Sequence, residues 1–366
     1  MPESFTKVYI DAPSAAVEVH MKEPAEIGRL LALAKSRNPE IDITKAKVQA
    51  AKYSARQLDS ARRKLLAASH AGLIPVDIHA IGVPRDGSSL ELHVSDPGSA
   101  ASETGKQRSS AFQSQVALTF KKGAPARPAK SRFDDWYDDP DSRYFGAGSL
   151  LLFPAGNACT SGLPAQLRNT PSRPILVTAM HCGLSGDKVT TGVTSHVVGT
   201  TFDGAPEYDA IPIDVRPGHT DAFGAESDHP GGGIYGFGIY GVSDSINGDY
   251  VCQNGYKSYV ETGKTVCAIK VTDDDVAFNL CPGAGRPCYM VSGVHGTKMD
   301  SENGGIAARP GDSGALVFAI AKPGDVTRQA RGIVSAVVTS SGGKVVSFTQ
   351  ALRILGRLNL DIANGQ

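Results

Sequence analysis

Two textures of apolar and polar positions divide the chain. From residue 24 to 36, PAEIGRLLALAKS, and from 43 to 71, ITKAKVQAAKYSARQLDSARRKLLAASHA, alanine, leucine and long charged side chains recur at helical spacing, which predicts two amphipathic helices. Burial of their apolar faces against a neighbouring sheet is the expected use. The pattern then alternates. Pro75 to Val83 and Ser89 to Val94 predict two strands joined as a hairpin through Pro84-Arg-Asp-Gly87, and Ser114 to Phe120 predicts a further strand. Residues 121–132, KKGAPARPAKSR, are a basic Pro/Gly/Ala linker and the expected domain boundary. The next stretch, FDDWYDDPDSRYFG, is acidic and aromatic, and from Ala147 onward short strands alternate with Gly, Pro, Asn and Asp turns. This predicts a small α+β module over 1–132 and an all-β domain over 133–366. Thr349 to Leu358 regains helical spacing and is expected to close the chain as one helix.

The 366 residues are enough for two or three cored domains. Lys+Arg and Asp+Glu balance at 37 each, but residues 1–132 hold 20 basic against 13 acidic groups and the remainder 17 against 24, so the two halves are oppositely charged. The basic residues of the first half are interleaved with acids along the predicted helices, which argues against nucleic acid as a partner. No run is long enough to span a membrane, and no membrane partner is expected. The first twenty residues lack the apolar core of a secretory signal. Asp273-Asp274-Asp275 reads as a solvated loop rather than a cation site.

All six cysteines, Cys159, Cys182, Cys252, Cys267, Cys281 and Cys288, follow residue 158. An even count confined to one region reads as a disulfide set, and no CxxC pair favours a metal. Cys281-Pro-Gly-Ala-Gly-Arg-Pro-Cys288 has the look of a stapled turn. No metal and no cofactor are expected. Paired cysteines imply an oxidising compartment, so the expected location is extracellular, with a signal peptide already removed.

Candidate chemistry sits at Arg309-Pro-Gly-Asp-Ser313-Gly-Ala-Leu-Val-Phe318, where a glycine-punctuated turn enters an apolar strand. A serine hydroxyl becomes a nucleophile near neutral pH only with a base in hydrogen-bond reach and an acid to orient that base. No histidine follows Ser313, which excludes the chain order of α/β-hydrolases, and Ala315 breaks their G-x-S-x-G pattern. Upstream, Ile175-Leu-Val177 leads to Thr178-Ala-Met-His181-Cys182, so His181 ends a strand beside a cysteine. Pairing Cys182 with Cys159 would pin that turn. For the acid, Asp209 opens the apolar strand Ala210-Ile-Pro-Ile213. Asp203, in a turn, and Asp214, at the strand's end, are alternates.

The motifs TAMHC, YDAIPI and PGDSGALVF, in this order, resemble chymotrypsin-like serine proteases, above all the bacterial streptogrisin and α-lytic group. Val198 to Asp209, Val251-Cys252 through Cys267, and the C-terminal helix extend the likeness over residues 145 to about 360. The resemblance implies two six-stranded antiparallel β-barrels with a C-terminal helix. It also implies Ser313 as nucleophile, His181 as general base and then acid, and Asp209 as orienting carboxylate. The oxyanion hole would come from the N–H groups of Gly311 and Ser313, with Ser335 bonded to the acid and a Cys252–Cys267 disulfide. Ala307 falls where trypsin-like members carry an acid, so cleavage after Lys or Arg is not expected. Ala336 and Val337 would line a narrow pocket for small aliphatic residues. Two positions depart from the group. Gln253 stands where its members have the arginine that pairs with the aspartate before the nucleophile, so Asp312 lacks that partner. Lys257, Lys264 or a new N-terminus could substitute. Cys281 and Cys288 lie upstream of the usual cysteine and are paired with each other.

More weakly, residues 1–132 resemble the pro-regions of the same proteases, which act as folding chaperones and inhibitors. The expectation is a monomeric, secreted serine endopeptidase made as a pro-enzyme, with proteins or peptides and its own pro-region as partners, processed between Lys121 and Phe145. The competing readings are a protease-shaped protein that cleaves only itself, or one that binds without catalysis.

Overall fold

The computed structural model describes residues 3–11, 16–37, 42–70, 74, 76, 78–84, 86–106, 116–123, 147–192, 197–215, 223–226, 235–282, 286–320 and 328–363. Most of the expected linker and the acidic aromatic stretch after it, residues 124–146, lie outside that set. The chain forms two compact units. The first holds residues 1–125 together with 246–249 and 273–279, and the second holds the rest.

In the first unit, β1 (Phe5–Asp11) and β2 (Ala16–Met21) pair antiparallel. The helix α1 (Ile27–Arg37) crosses over to β3 (Ala46–Ala50), which lies parallel to β2. The second helix, α2 (Ala55–His70), starts twelve residues later than its spacing predicts. Residues 43–45 form a 3-10 turn, and residues 46–50, though they carry helix-forming side chains, pair with β2 instead. The helix start is fixed by a reciprocal cap, in which Ser54 N donates to Gln57 Oε1 at 3.1 Å and Gln57 N to Ser54 Oγ at 3.4 Å. Leu58, Ala61, Leu65 and Ala68 of α2 then bury against β4 (Ile78–Gly82) and β5 (Leu90–Val94), the expected hairpin. A helix the spacing did not signal, α3 (Pro97–Lys106), leads to β6 (Leu118–Lys122), parallel to β5, so the strand runs into the predicted linker.

The acidic cluster is not a solvated loop. Asp273 to Asp275 lie in a strand of the first unit, where Lys7 Nζ sits 2.9 Å from Asp273 and 3.3 Å from Asp274. Ala277 and Phe278 pair with Ile81 and Ala80 of β4.

The second unit contains two barrels. The first uses β7 (Leu150–Leu152), β8 (Ala158–Thr160), β9 (Leu163–Leu167), β10 (Thr170–Ala179), β11 (Lys188–Thr191), β12 (Val197–Thr201) and β13 (Ala210–Val215). Strands β8 and β9 are two arms of one bent strand: β8 pairs with β7 and β9 with β10, which closes a ring of six. Gly162 sits at the bend because a Cβ there would lie 2.2 Å from the Gly314 carbonyl oxygen. Leu151, Leu176, Val189, Val198, Ile213 and Val215 fill the interior.

A hairpin of β14 (Phe223–Glu226) and β15 (Tyr235–Val242) precedes the second barrel. That barrel is built from β16 (Tyr250–Gln253), then, after α4 (Tyr256–Thr262), β17 (Val266–Leu280), β18 (Tyr289–Lys298), β19 (Leu316–Ile320), β20 (Arg328–Val337) and β21 (Val345–Gln350). The pairings β16–β17–β18–β21–β20–β19–β16 form a closed six-membered ring. Helix α5 (Ala351–Leu358) ends at Asn359 in the left-handed region, and β22 (Leu360–Ile362) returns to pair with β9 of the first barrel. The fold is thus two six-stranded antiparallel barrels with a terminal helix, preceded by an α+β part. Leu163, Ile175 and Val177 from one barrel pack with Leu316, Phe318 and Ile333 from the other, a shared core beneath the turns that carry the site.

Candidate active site

His181 is set by the end of β10. The strand stops in a single 3-10 turn, Met180–Cys182, and a disulfide ties Cys182 to Cys159 in β8. Asn157 Nδ2 donates to the Cys182 carbonyl at 2.9 Å. The guanidinium of Arg286 donates to the carbonyls of His181, Met180 and Gly183 at 3.0, 3.3 and 3.2 Å, at the end of the turn where backbone acceptors outnumber backbone donors. The two sulfurs of Cys159 and Cys182 lie within 4.8 Å of His181, but both are in the disulfide and offer no thiolate to a metal.

Asp209 adopts a left-handed backbone conformation, φ 47° and ψ 43°, immediately before β13. That conformation costs a side chain on the order of 1 kcal/mol. Here the carboxylate gains four hydrogen bonds. Oδ1 accepts from His181 N at 2.9 Å and from the Tyr289 hydroxyl at 2.8 Å. Oδ2 accepts from His181 Nδ1 at 2.8 Å and from the Ser335 hydroxyl at 2.5 Å. All of these groups except Tyr289 are buried below a tenth of their surface. A carboxylate only accepts, so Nδ1 carries the imidazole proton and Nε2 presents its lone pair. The alternates are elsewhere: Asp214 pairs with Arg173 at 2.5 Å and Asp203 is exposed.

Ser313 is held by a turn with two left-handed glycines, Gly311 at φ 108° and Gly314 at φ 86°. Thr160 N donates to the Ser313 carbonyl at 2.7 Å and Thr160 Oγ1 to the Gly311 carbonyl at 2.8 Å, so β8 anchors the nucleophile turn as well as the histidine turn. Gly314 lies against Thr178 and Ala179, at the strand end that delivers His181. Among the described residues, His181 Nε2 and Ser313 Oγ are buried polar atoms with no hydrogen-bond partner. Such atoms are uncommon in folded proteins and call for a functional account.

Asp312 is fully buried, and its partners are neither of the expected lysines. Lys257 pairs with Glu261 at 2.9 Å. The carboxylate instead accepts from Arg309 N at 2.7 Å, Ser258 N at 2.8 Å, Ser258 Oγ at 2.5 Å and Gln253 Nε2 at 3.3 Å. Burial raises its pKa above the ordinary value, and the Ser258 and Arg309 donors offset that only in part. Gly255 makes room: a Cβ there would meet the Asp312 carboxyl at 2.2 Å. Gln253 is thus part of the network that replaces the absent arginine.

Ala307 and Val337 pack in one core cluster of the second barrel, and Ala336, also buried, precedes Val337 on β20. The remaining disulfides join Cys252 to Cys267 and Cys281 to Cys288. Ser258, Arg286 and Tyr289 carry no local sequence signal. Tyr289 follows Cys288 directly, but its hydroxyl reaches a residue 80 positions away.

No family model matches the chain, and no curated protein does. Solved structures do. Among its structural neighbours are bacterial chymotrypsin-like serine proteases. Protease A of Thermobifida fusca is 19% identical, with a TM-score of 0.45, over 61% of this chain and 100% of its own. Nocardiopsis protease is 19% identical at a TM-score of 0.44, over 60% of this chain and 100% of its own. Chymotrypsin of Cellulomonas bogoriensis is 20% identical at a TM-score of 0.43, over 60% and 99%. The chemistry of this chain is read from the hydrogen bonds of its own site.

Proposed function

We propose that this protein is a serine endopeptidase made as a pro-enzyme and acting outside the cell. The observation that carries the reading is the joined set at Asp209. One carboxylate fixes the histidine tautomer and is backed by Ser335, while the free imidazole nitrogen and the serine hydroxyl have no partner among the described residues.

In this reading His181 Nε2 takes the Ser313 proton as Oγ attacks the scissile carbonyl, and the imidazolium is stabilised by Asp209. The tetrahedral oxyanion is met by the N–H groups of Gly311 and Ser313, each donor being worth roughly 3 kcal/mol of barrier. His181 then returns the proton to the leaving amine. A water molecule, activated by the same nitrogen, releases the acyl group. The Asp312 network holds the turn that carries both oxyanion donors. Ala307 offers no charge for a basic substrate side chain, and Val337 narrows the space beside it, which supports cleavage after small aliphatic residues.

Residues 1–132 act in this reading as a chaperone and inhibitor of the domain that follows. The basic bias of that segment supports this. So does the composition of the first unit, which incorporates residues 246–249 and 273–279 from the half of the chain that bears the site. Three disulfides suit an oxidising compartment, and no helix among the described residues is long and apolar enough to cross a membrane.

The test is expression of the full chain and of Ser313→Ala under oxidising conditions. The expected result is cleavage between residues 121 and 145 and hydrolysis of Ala- or Val-ended peptides by the parent chain alone. Equal behaviour of the two chains refutes the reading. Cleavage at the linker without peptide turnover identifies a protein that acts only on itself.

A further inference from the structure

We propose that Tyr289 and Arg286 are positioning residues of this site, holding the acid and the base of the Asp209–His181 pair from either side of Cys288. The inference rests on the serine-peptidase reading above for its effect on turnover, but its geometry is independent of it.

The two side chains act on the two partners separately. Tyr289, at the start of β18, donates its hydroxyl to Asp209 Oδ1 at 2.8 Å. A carboxylate has about four lone-pair sites. With His181 N on the same oxygen, and Ser335 and His181 Nδ1 on the other, all are filled, so the carboxylate has no alternative orientation within its pocket. Burial, the negative charge of Asp209 and the hydrogen bond to it all push ionisation of the Tyr289 hydroxyl upward, so it remains a donor over the whole range in which a protease works. Arg286 holds the base. Its planar fork reaches three carbonyls of the His181 turn at 3.0 to 3.3 Å, a set that one point-like ammonium cannot reproduce. The two residues lie on either side of Cys288, which a disulfide ties to Cys281, seven positions earlier in the sequence. The acid and base therefore come from the first barrel and their clamp from the second.

A merely structural role would lower stability and leave the site's electronics alone. A positioning role has a spectroscopic consequence. When a donor is removed from Asp209, the remaining bond from His181 Nδ1 strengthens, because the same negative charge is shared among fewer donors. The proton in that bond gives a low-field resonance in NMR spectra of the folded chain, assigned with 15N-labelled histidine and by its loss in His181→Gln.

The experiment uses the full chain, its Tyr289→Phe and Arg286→Lys variants, and a chain with 3-fluorotyrosine placed at 289. Tyr289→Phe is expected to move the resonance downfield and to lower kcat about tenfold with KM unchanged, the size expected for one bond to a charged group. Fluorotyrosine, a stronger donor of the same shape, is expected to move the resonance upfield, and it serves as the measurement of record if the phenylalanine variant does not fold. Arg286→Lys keeps the charge and loses the fork, so kcat should fall in it as well. A resonance that stays in place with both changes at 289 overturns the proposal, as does loss of thermal stability alone. If the resonance moves as expected in a chain that hydrolyses no peptide, the positioning geometry stands and the peptidase reading falls.

Discussion

Ser258→Ala should reveal how the nucleophile turn is held. In the parent chain the Ser258 hydroxyl donates to Asp312 Oδ2 at 2.5 Å and accepts from Gln253 Nε2 and Arg309 Nη1, both at 3.3 Å. Asp312 is fully buried and has no ion pair among the described contacts, so loss of one charge-assisted donor should cost about 2 kcal/mol, while Gln253 and Arg309 each lose one of several acceptors. The cost depends on pH in a defined direction. Burial raises the pKa of Asp312 in the native state above its ordinary 3.8, so the native chain binds this proton more tightly than the unfolded one. The stability tied to that proton is fully present below the ordinary value and is lost as pH rises through the raised native value. Removing the hydroxyl raises the native value further. The variant should therefore lie close to the parent in acid and diverge as pH rises, reaching its full deficit once Asp312 is ionised in both. Equilibrium urea unfolding followed by circular dichroism across that range measures the deficit, and the rate of labelling by a fluorophosphonate reports the turn. A variant within about 0.5 kcal/mol of the parent at every pH, labelled at the parent's rate, would refute this account of Asp312.

Gly314→Ala should abolish folding of the second unit, since its Cβ would lie 2.0 Å from Thr178 Oγ1 and 2.4 Å from the Thr160 carbonyl oxygen at φ +86°. Gly356→Ala, on the exposed side of α5 with nothing within 4 Å, should instead stabilise by about 0.5 kcal/mol or more in the same urea assay. Replacing Cys159 and Cys182 together by alanine opens a link spanning 23 residues and should cost about 3 kcal/mol, with kcat falling because the His181 turn loses its tie to β8. Val337→Gly should raise kcat/KM for Phe-ended over Ala-ended peptides by about tenfold or more, and an unchanged ratio would place the specificity pocket elsewhere.

Alternation and turn residues made the all-β character of residues 133–366 legible, because most of its strands are short and bounded by local signals, while the two barrels followed from the family resemblance. The N-terminal half was less so. Residues 46–50 are composed like a helix and become β3 only through non-local pairing with β2, while β1 and β2 sit in a stretch whose pattern suggested nothing beyond the absence of an apolar run. Chain order and strand ends pointed to His181, Asp209 and Ser313, and the family resemblance to Ser335; His181 and Ser335 bond the Asp209 carboxylate, and Ser313 sits on a turn tied to β8. Their supports were hidden for a physical reason. Ser258 reaches Asp312 across 54 positions, Tyr289 reaches Asp209 across 80, and Arg286 reaches the His181 carbonyl across 105, through hydrogen bonds that leave no periodicity in the sequence.

The central claim is that Ser313 is a nucleophile activated by His181. Mass spectrometry of the processed chain after treatment with a fluorophosphonate tests it most directly. A single adduct on the peptide containing Ser313, absent from Ser313→Ala and strongly slowed in His181→Gln, is the predicted result. A folded, processed chain that takes up no adduct, or takes it up elsewhere, would contradict it.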